Sequence, residues 1–247
     1  MSEAEANLRD AIEHSYMVFA GMPCPRKLET SPLRNGDEIL QTLKSAPLRE
    51  LGGEQIGPYS GWAITTVGND RDYRHFLPRI VELAVTEPVW LGTEPPVTAS
   101  KLEMATWRAW PADQQSAVLR LFHAAFDAMI ARHPDEWPSE AAEWFCGVAN
   151  LGERVSPPFE RWLSSTSANA ALNMARFIIS ESKHLREHGE VRGYFWKGVS
   201  EHARREVATL LLEERTISFL QSAAERVSEE DRFYHLDAAI AELARQF

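Results

Sequence analysis

The sequence is poor in the features that mark disulfide-rich, disordered and membrane-spanning proteins. Its only cysteines, Cys24 and Cys146, are far apart and lack Cys-x-x-Cys spacing. By themselves they cannot form a structural zinc site, and no disulfide is expected in a reducing compartment. Thirteen glycines and fourteen prolines in 247 residues are too few for a disordered chain. The longest apolar runs, such as the one at 210–212, are too short to cross a bilayer.

The chain also lacks the short motifs that usually mark a catalytic or nucleotide-binding site. It contains no Gly-x-Gly-x-x-Gly, no Gly-x-x-x-x-Gly-Lys, no Gly-x-Ser-x-Gly and no His-Glu-x-x-His. Eight histidines are scattered through the sequence. The sequence therefore contains no known catalytic motif. Candidate sites have to be inferred from the spacing of individual side chains.

The composition is that of an ordinary soluble globular protein, with 44% hydrophobic and 25% charged residues. The formal net charge of −10 disfavours non-specific binding to nucleic acid or to an anionic membrane. It suits a basic protein partner, although acidity can also serve solubility alone. The N-terminal run Met-Ser-Glu-Ala-Glu-Ala is acidic where a secretory signal is basic, which predicts a cytoplasmic protein.

The clearest structural signal is an amphipathic helix over residues 69–85. Asn69 or Asp70 can cap its start, and Pro78 predicts a bend inside it. Its polar side carries Arg71, with a histidine, an arginine and a glutamate. The apolar side chains recur at spacings of three and four, which places them on one stripe: Tyr73, Phe76, Leu77, Ile80, Leu83 and Ala84.

Similar periodicity along the chain, without paired strands, predicts an all-α fold. We expect an irregular array or solenoid of about nine to twelve helices, mostly antiparallel neighbours, in a single domain over 1–247. The Pro-rich segment 86–97 predicts a loop and a soft boundary, with the next helix beginning at Thr98 or Ser100. A helix is also predicted over 59–66, and the last helix is predicted to begin at Ser228.

Part of the chain resembles a signature found in a family of bacterial proteins that has no established activity. The matching residues run from Thr65-Thr66-x-Gly68 through Asp72-Tyr73-Arg74-His75-Phe76-Leu77-Pro78-Arg79. A tryptophan step at Trp107, Trp110 and Pro111, and the segment Pro23-Cys24-Pro25, resemble further features of that family. The resemblance covers about residues 16–130. It implies a bacterial, cytosolic, helical protein and brings no catalytic residues.

One group of side chains has metal-ligand spacing. Glu181, His184 and His188 recur at steps of three and four, so a helix would direct them to one side. A metal-dependent hydrolase using these three is the alternative function. Charged neighbours surround the group, and we therefore favour a solvated helix face without a metal.

A second candidate lies beside Pro78. Asp70, Arg74 and Arg79 could form a polar pocket in which the arginines hold a carboxylate or a phosphate. The simpler interpretation is an ion pair between Asp70 and Arg74, four residues apart, worth a few tenths of a kcal/mol. We favour the ion pair.

The function that we favour from the sequence is protein binding without catalysis or a cofactor. An immunity protein that neutralises a cognate bacterial toxin is one example, with a basic toxin domain as its partner. The residues predicted to contact that partner are acidic and lie in two segments: Glu136, Glu140 and Glu143 in one, and Glu229, Glu230 and Asp231 in the other.

Overall fold

The computed structural model describes residues 2–135 and 140–245. It is 72% helical, and within these two ranges it contains no strand, only isolated bridges at Thr30–Val67 and Ala63–Val67. The predicted all-α fold is confirmed. The described part has thirteen helical segments when the continuous C-terminal run is counted once, and one of them is a single turn. This agrees with the predicted nine to twelve helices.

The chain divides into two compact units, Met1–Ala125 and Phe126–Phe247. The first holds α1 (Glu3–Phe19), α2 (Gly36–Leu43), α3 (Gly53–Trp62), α4 (Asp70–Thr86), α5 (Pro88–Leu91) and α6 (Pro95–Met104), and the division falls within α7 (Ala112–Ala131). The second holds α8 (Ala141–Asn150), α9 (Ser156–Leu163), α10 (Ala168–His188), α11 (Glu201–Leu212), α12 (Glu214–Ala223), α13 (Glu229–Asp231) and α14 (Ala238–Ala244). The segment 86–97 lies inside the first unit. The single domain and its soft boundary remain predictions.

Helix α4 is the centre of the first unit, where it packs against α1, α3, α5 and α6. Its start is fixed by Asn69, whose side chain accepts from the backbone amides of Arg71 and Asp72. The carboxylate of Asp72 accepts in turn from the amide of Asn69, which completes a capping box. All six residues of the predicted stripe are at most 1% exposed. The helix and its buried face are confirmed.

The polar side of α4 is also packed, which the sequence did not predict. His75 lies 2.9 Å from the carbonyl of Met22 through Nδ1. The guanidinium of Arg79 donates to the Leu51 carbonyl at 2.8 Å and pairs with Glu82 at 2.7 Å. Polar residues therefore face neighbouring elements of the unit, and among the residues assigned to this side only Arg71 is fully exposed.

Two local predictions are wrong, and close backbone packing explains both. The helix predicted over 59–66 is α3, which begins earlier, at Gly53, and ends at Trp62. The segment predicted as a loop contains α5 and the start of α6. A Cβ atom at Gly53 would lie 2.4 Å from the Trp90 carbonyl carbon, and one at Gly57 would lie 2.2 Å from the Leu91 oxygen. Glycines that read as helix breakers therefore let α3 and α5 approach each other.

Helix α10 is the centre of the second unit, where it packs against α8, α12 and α14. Beside it lies a cluster of buried aromatic rings in edge-to-face and stacked pairs with centroids 5.3–6.2 Å apart. Its members come from α7, α8, α9, α10 and the 3-10 turn at 194–198: Phe126, Phe145, Phe159, Trp162, Phe177 and Trp196. This core holds the helices that carry the charged groups described below. Among the described residues, no helix combines the length and the apolar character needed to cross a membrane.

Candidate functional site

Two chain segments that are distant in sequence meet at one place in the second unit. His133 and Asp135 follow α7, and Asp231 ends α13. His133 Nε2 lies 3.2 Å from an Asp231 carboxylate oxygen, across 98 positions of sequence. His235 Nε2 lies 3.1 Å from an Asp135 carboxylate oxygen, across 100 positions. Residues 133–135 and 231–235, which adjoin or overlap the two predicted acidic segments, therefore meet at one surface.

Arg176 of α10 extends this surface towards α8. Its guanidinium pairs with Asp135 at 3.2 Å and with Glu140 at 2.9 Å. One positive charge is therefore shared by two carboxylates. Glu229 and Glu230 are exposed at the start of α13, beside Asp231, so the surface as a whole keeps an excess of negative charge.

Two exposed aromatic side chains follow Asp231 within three residues of sequence. Phe233 and Tyr234 are 65% and 64% exposed, with their rings edge to face and 5.1 Å apart. They lie in a π-helical stretch, Arg232–Asp237, between α13 and α14. Most π-helical turns are single interruptions of α-helices and occur frequently at functional sites. We call the group Asp135, Glu140, Glu229, Glu230, Asp231, Phe233 and Tyr234 the acidic–aromatic surface.

The carboxylate of Asp231 is held in its ionised form. The hydroxyl of Ser228 donates to it at 2.6 Å and lowers its pKa, and His133 lowers that pKa further. The same Ser228 hydroxyl accepts from the Asp231 amide and caps α13. The negative charge of Asp231 is therefore part of the local fold at neutral pH.

His133, Asp135 and Asp231 also form the one group in the described residues with metal-ligand composition, with ligand atoms within 4.8 Å of one another. The backbone amide of Asp135 donates to His133 Nδ1 at 3.3 Å. That places the ring proton on Nε2, which donates to Asp231. A metal on Nε2 would have to displace this proton and break the pair. The protein groups satisfy one another as they stand, and we assign no metal here.

Only some of the residues predicted to bind a partner belong to the acidic–aromatic surface. Those that do are Glu140, Glu229, Glu230 and Asp231. Glu143 is not a member of the His133–Asp231 or Asp135–His235 pair; with Glu140, Cys146 and Glu181 it lines a pocket of about 150 Å³. Glu136 lies outside the described residues.

The three residues of the alternative metal site, Glu181, His184 and His188, do not contact one another as a single group of ligands. The buried carboxylate of Glu181 accepts from the backbone amides of Arg192 and Gly193, at 2.8 and 3.1 Å. The rings of His184 and His188 stack with centroids 6.2 Å apart and line a separate pocket. The ligand atoms of the three do not meet within 4.8 Å, so the geometry gives the hydrolase alternative no support.

The polar pocket predicted beside Pro78 also has a different composition. Asp70 and Arg74 form an ion pair at 2.7 Å, as the simpler interpretation expects, and Arg79 is occupied by Leu51 and Glu82. Pro78 does line a pocket of about 530 Å³. The other side chains of that pocket come from α1 and the following loop, from residues 47–50 and from His75.

Sequence reasoning missed the groups that complete the acidic–aromatic surface. His133 and His235 face carboxylates that are about a hundred positions away, and spacing along one helix does not reveal such a pair. The spacing of Phe233 and Leu236 is typical of one apolar stripe, but in the structure Leu236 is buried and Phe233 is 65% exposed. Asp231 and His235, four residues apart, are the one local signal.

Comparisons with known proteins add no functional information. No family model, no curated protein and no solved structure matches the chain.

Proposed function

We propose that this protein is a binding module whose acidic–aromatic surface docks a basic protein. The observation that carries the proposal is that carboxylates from two distant segments meet at a point of the chain that is followed, within three residues, by two exposed aromatic rings. Aromatic anchors supply most of the energy of many protein interfaces, and a charged rim speeds the encounter. Phe233 and Tyr234 are the anchors in this proposal.

The charge of the surface defines the partner. Glu229 and Glu230 are exposed, and the hydrogen bond from Ser228 lowers the pKa of Asp231, which is negatively charged at neutral pH. A lysine- or arginine-rich surface is the complement of such a rim, whereas a nucleic acid would be repelled. We propose a basic bacterial toxin domain as the partner, and the protein is then an immunity protein. This role needs only a surface that covers the toxin.

Site-specific photo-crosslinking tests the proposal and identifies the partner in the same experiment. Benzoylphenylalanine replaces Tyr234 in cells of the source organism, and crosslinked proteins are identified by mass spectrometry. The matched control is the same substitution at Tyr194, an aromatic residue of the same unit that is 75% exposed. We expect one basic protein to be captured from position 234 and not from position 194.

A charge-reversal variant and a growth assay test the surface and the immunity role separately. Reversing charge in a Glu229→Lys, Glu230→Lys double variant should abolish the crosslink while the far-ultraviolet spectrum stays unchanged. Co-expression of the captured protein should inhibit growth, and the wild-type chain, but not the double variant, should restore it. Equal capture from positions 194 and 234, or capture that survives charge reversal, would refute the surface. Capture of a protein that does not inhibit growth would refute the immunity role alone.

A further inference from the structure

A second, chemically opposite feature lies at the other end of α10. A pocket of about 390 Å³ is lined by His184, His188, Arg192, Trp196, Lys197 and Arg204. Five of these six side chains are cationic or can become so. The net charge of the chain is −10, yet none of the described residues that line this pocket is acidic.

Arg192 and Arg204 both have structural contacts, but these contacts leave some of their donor groups unpaired among the described residues. Arg192 and Arg204 both donate to the buried carboxylate of Glu190, at 2.6 and 3.1 Å, and they lower its pKa. Arg204 also donates to the Val199 carbonyl at 2.7 Å. The terminal amino groups of Arg192 donate to no residue in the described ranges, and its side chain is 46% exposed.

The cations of the pocket are opposed by acidic groups that are not part of its lining. Glu190 contributes one negative charge and Glu187, 3.8 Å from His188, a second. The buried carboxylate of Glu181, which accepts from the amides of Arg192 and Gly193, contributes a third, and the carbonyl end of α10 adds about half an elementary charge. Three permanent positive charges, on two arginines and Lys197, line the pocket itself. The surface that a ligand would meet is therefore cationic, although the acidic groups beside it balance the charge of the region as a whole.

Two histidine rings contribute to the lining of the pocket. His184 Nδ1 is itself buried, so a ligand would contact other atoms of that ring. His184 stacks on His188, so a ligand in the pocket would contact a coupled pair of rings.

From this arrangement we infer that the pocket binds a small organic phosphate. Guanidinium groups match the oxygens of phosphate or carboxylate, and several cations together suit a dianion better than a monoanion. The volume lies within the range of small-molecule sites and exceeds what a bare ion needs. This site is separate from the acidic–aromatic surface and does not depend on its function.

Calorimetry with three matched probes tests the inference: phenyl phosphate, benzoate and phenol. Phenyl phosphate should bind at least about tenfold more tightly than benzoate, and phenol should not bind. Lys197→Gln and Arg192→Gln should each weaken phenyl phosphate binding by about tenfold. The matched control is Arg205→Gln, next to Arg204 on α11, where the exposed arginine pairs with Glu201 outside the pocket.

Nuclear magnetic resonance of the histidine rings locates the binding. Phenyl phosphate should shift the ring signals of His184 and His188 and leave those of His133 and His235 unchanged. The inference is overturned if benzoate binds as tightly as phenyl phosphate, if Arg205→Gln weakens binding as much as Lys197→Gln, or if the shifts fall on other histidines. Absence of phenyl phosphate binding in the millimolar range would also overturn it.

Discussion

Replacing Glu82 with alanine should destabilise the first unit by roughly 3 kcal/mol, although the residue lies on the polar side of α4. Its carboxylate accepts from the Tyr16 hydroxyl of α1 and pairs with Arg79. Burial and this contact raise the pKa of Tyr16, so the hydroxyl remains a donor at neutral pH. Removal of Glu82 leaves both donors without their acceptor.

The magnitude follows from the burial of the pair. Breaking a buried ion pair costs about 3–5 kcal/mol, and an orphaned hydroxyl costs about 1–3 kcal/mol. The side chains of Arg79 and Glu82 are 12% and 23% exposed, and Arg79 keeps its bond to the Leu51 carbonyl. Water and that carbonyl offset part of the loss, which brings the total to roughly 3 kcal/mol. Glu82→Gln keeps an acceptor and should cost about half as much.

Urea unfolding, followed by far-ultraviolet circular dichroism and by tryptophan fluorescence, measures these changes. Arg71→Ala is the matched control, because Arg71 is exposed on the same helix, and it should cost under about 0.5 kcal/mol. If the two units unfold separately, only the transition of the first should move. Losses at Glu82 no larger than those at Arg71 would show that the polar side of α4 is solvated, contrary to our account.

Three further substitutions test other parts of the structure by the same unfolding measurement. Phe145→Ala should cost about 3–5 kcal/mol, because its ring contacts five other aromatic rings; a loss below about 1 kcal/mol would contradict this packing. Gly57→Ala should cost at least about 1–3 kcal/mol, because the new methyl group meets the Leu91 carbonyl oxygen, and an unchanged midpoint would rule out that close approach. Lys101 is buried, its ammonium donates only to Thr65 among the described residues, and burial lowers its pKa. The unfolded state then binds more protons, so stability should rise with pH between that lowered pKa and about 10.5; Lys101→Met should flatten the rise, and an unaltered pH profile would refute the assignment.

Much of the fold could be predicted from local pattern. The stripe of α4 and its cap at Asn69 are contained within seventeen consecutive residues, and hydrophobic spacing with capping chemistry is enough to identify them. The start of α3 could not be predicted in this way, because Gly53 is typical of a helix end in the sequence, whereas in the structure it is the first residue of the helix and lies against the backbone of Trp90.

The candidate site could be predicted only in part, because it depends on contacts between distant segments. Acidic composition identified Glu140 and Asp231, but no local rule joins them to one surface. That junction is made by Arg176 and by His133 across long stretches of chain. The spacing of Glu181, His184 and His188 allowed a metal site only as the alternative interpretation, and spacing alone could not show that Glu181 accepts from backbone amides.

Association kinetics of the crosslinked partner with this protein test the central proposal most directly. The association rate is measured by stopped flow over a range of salt concentrations, for the wild type and for the Glu229→Lys, Glu230→Lys variant. We predict that charge reversal slows association by about tenfold or more at low salt and flattens its salt dependence. Phe233→Ala should instead speed dissociation. Equal association rates and parallel salt dependences for the wild type and the charge-reversed variant would contradict the acidic–aromatic surface as the site of binding.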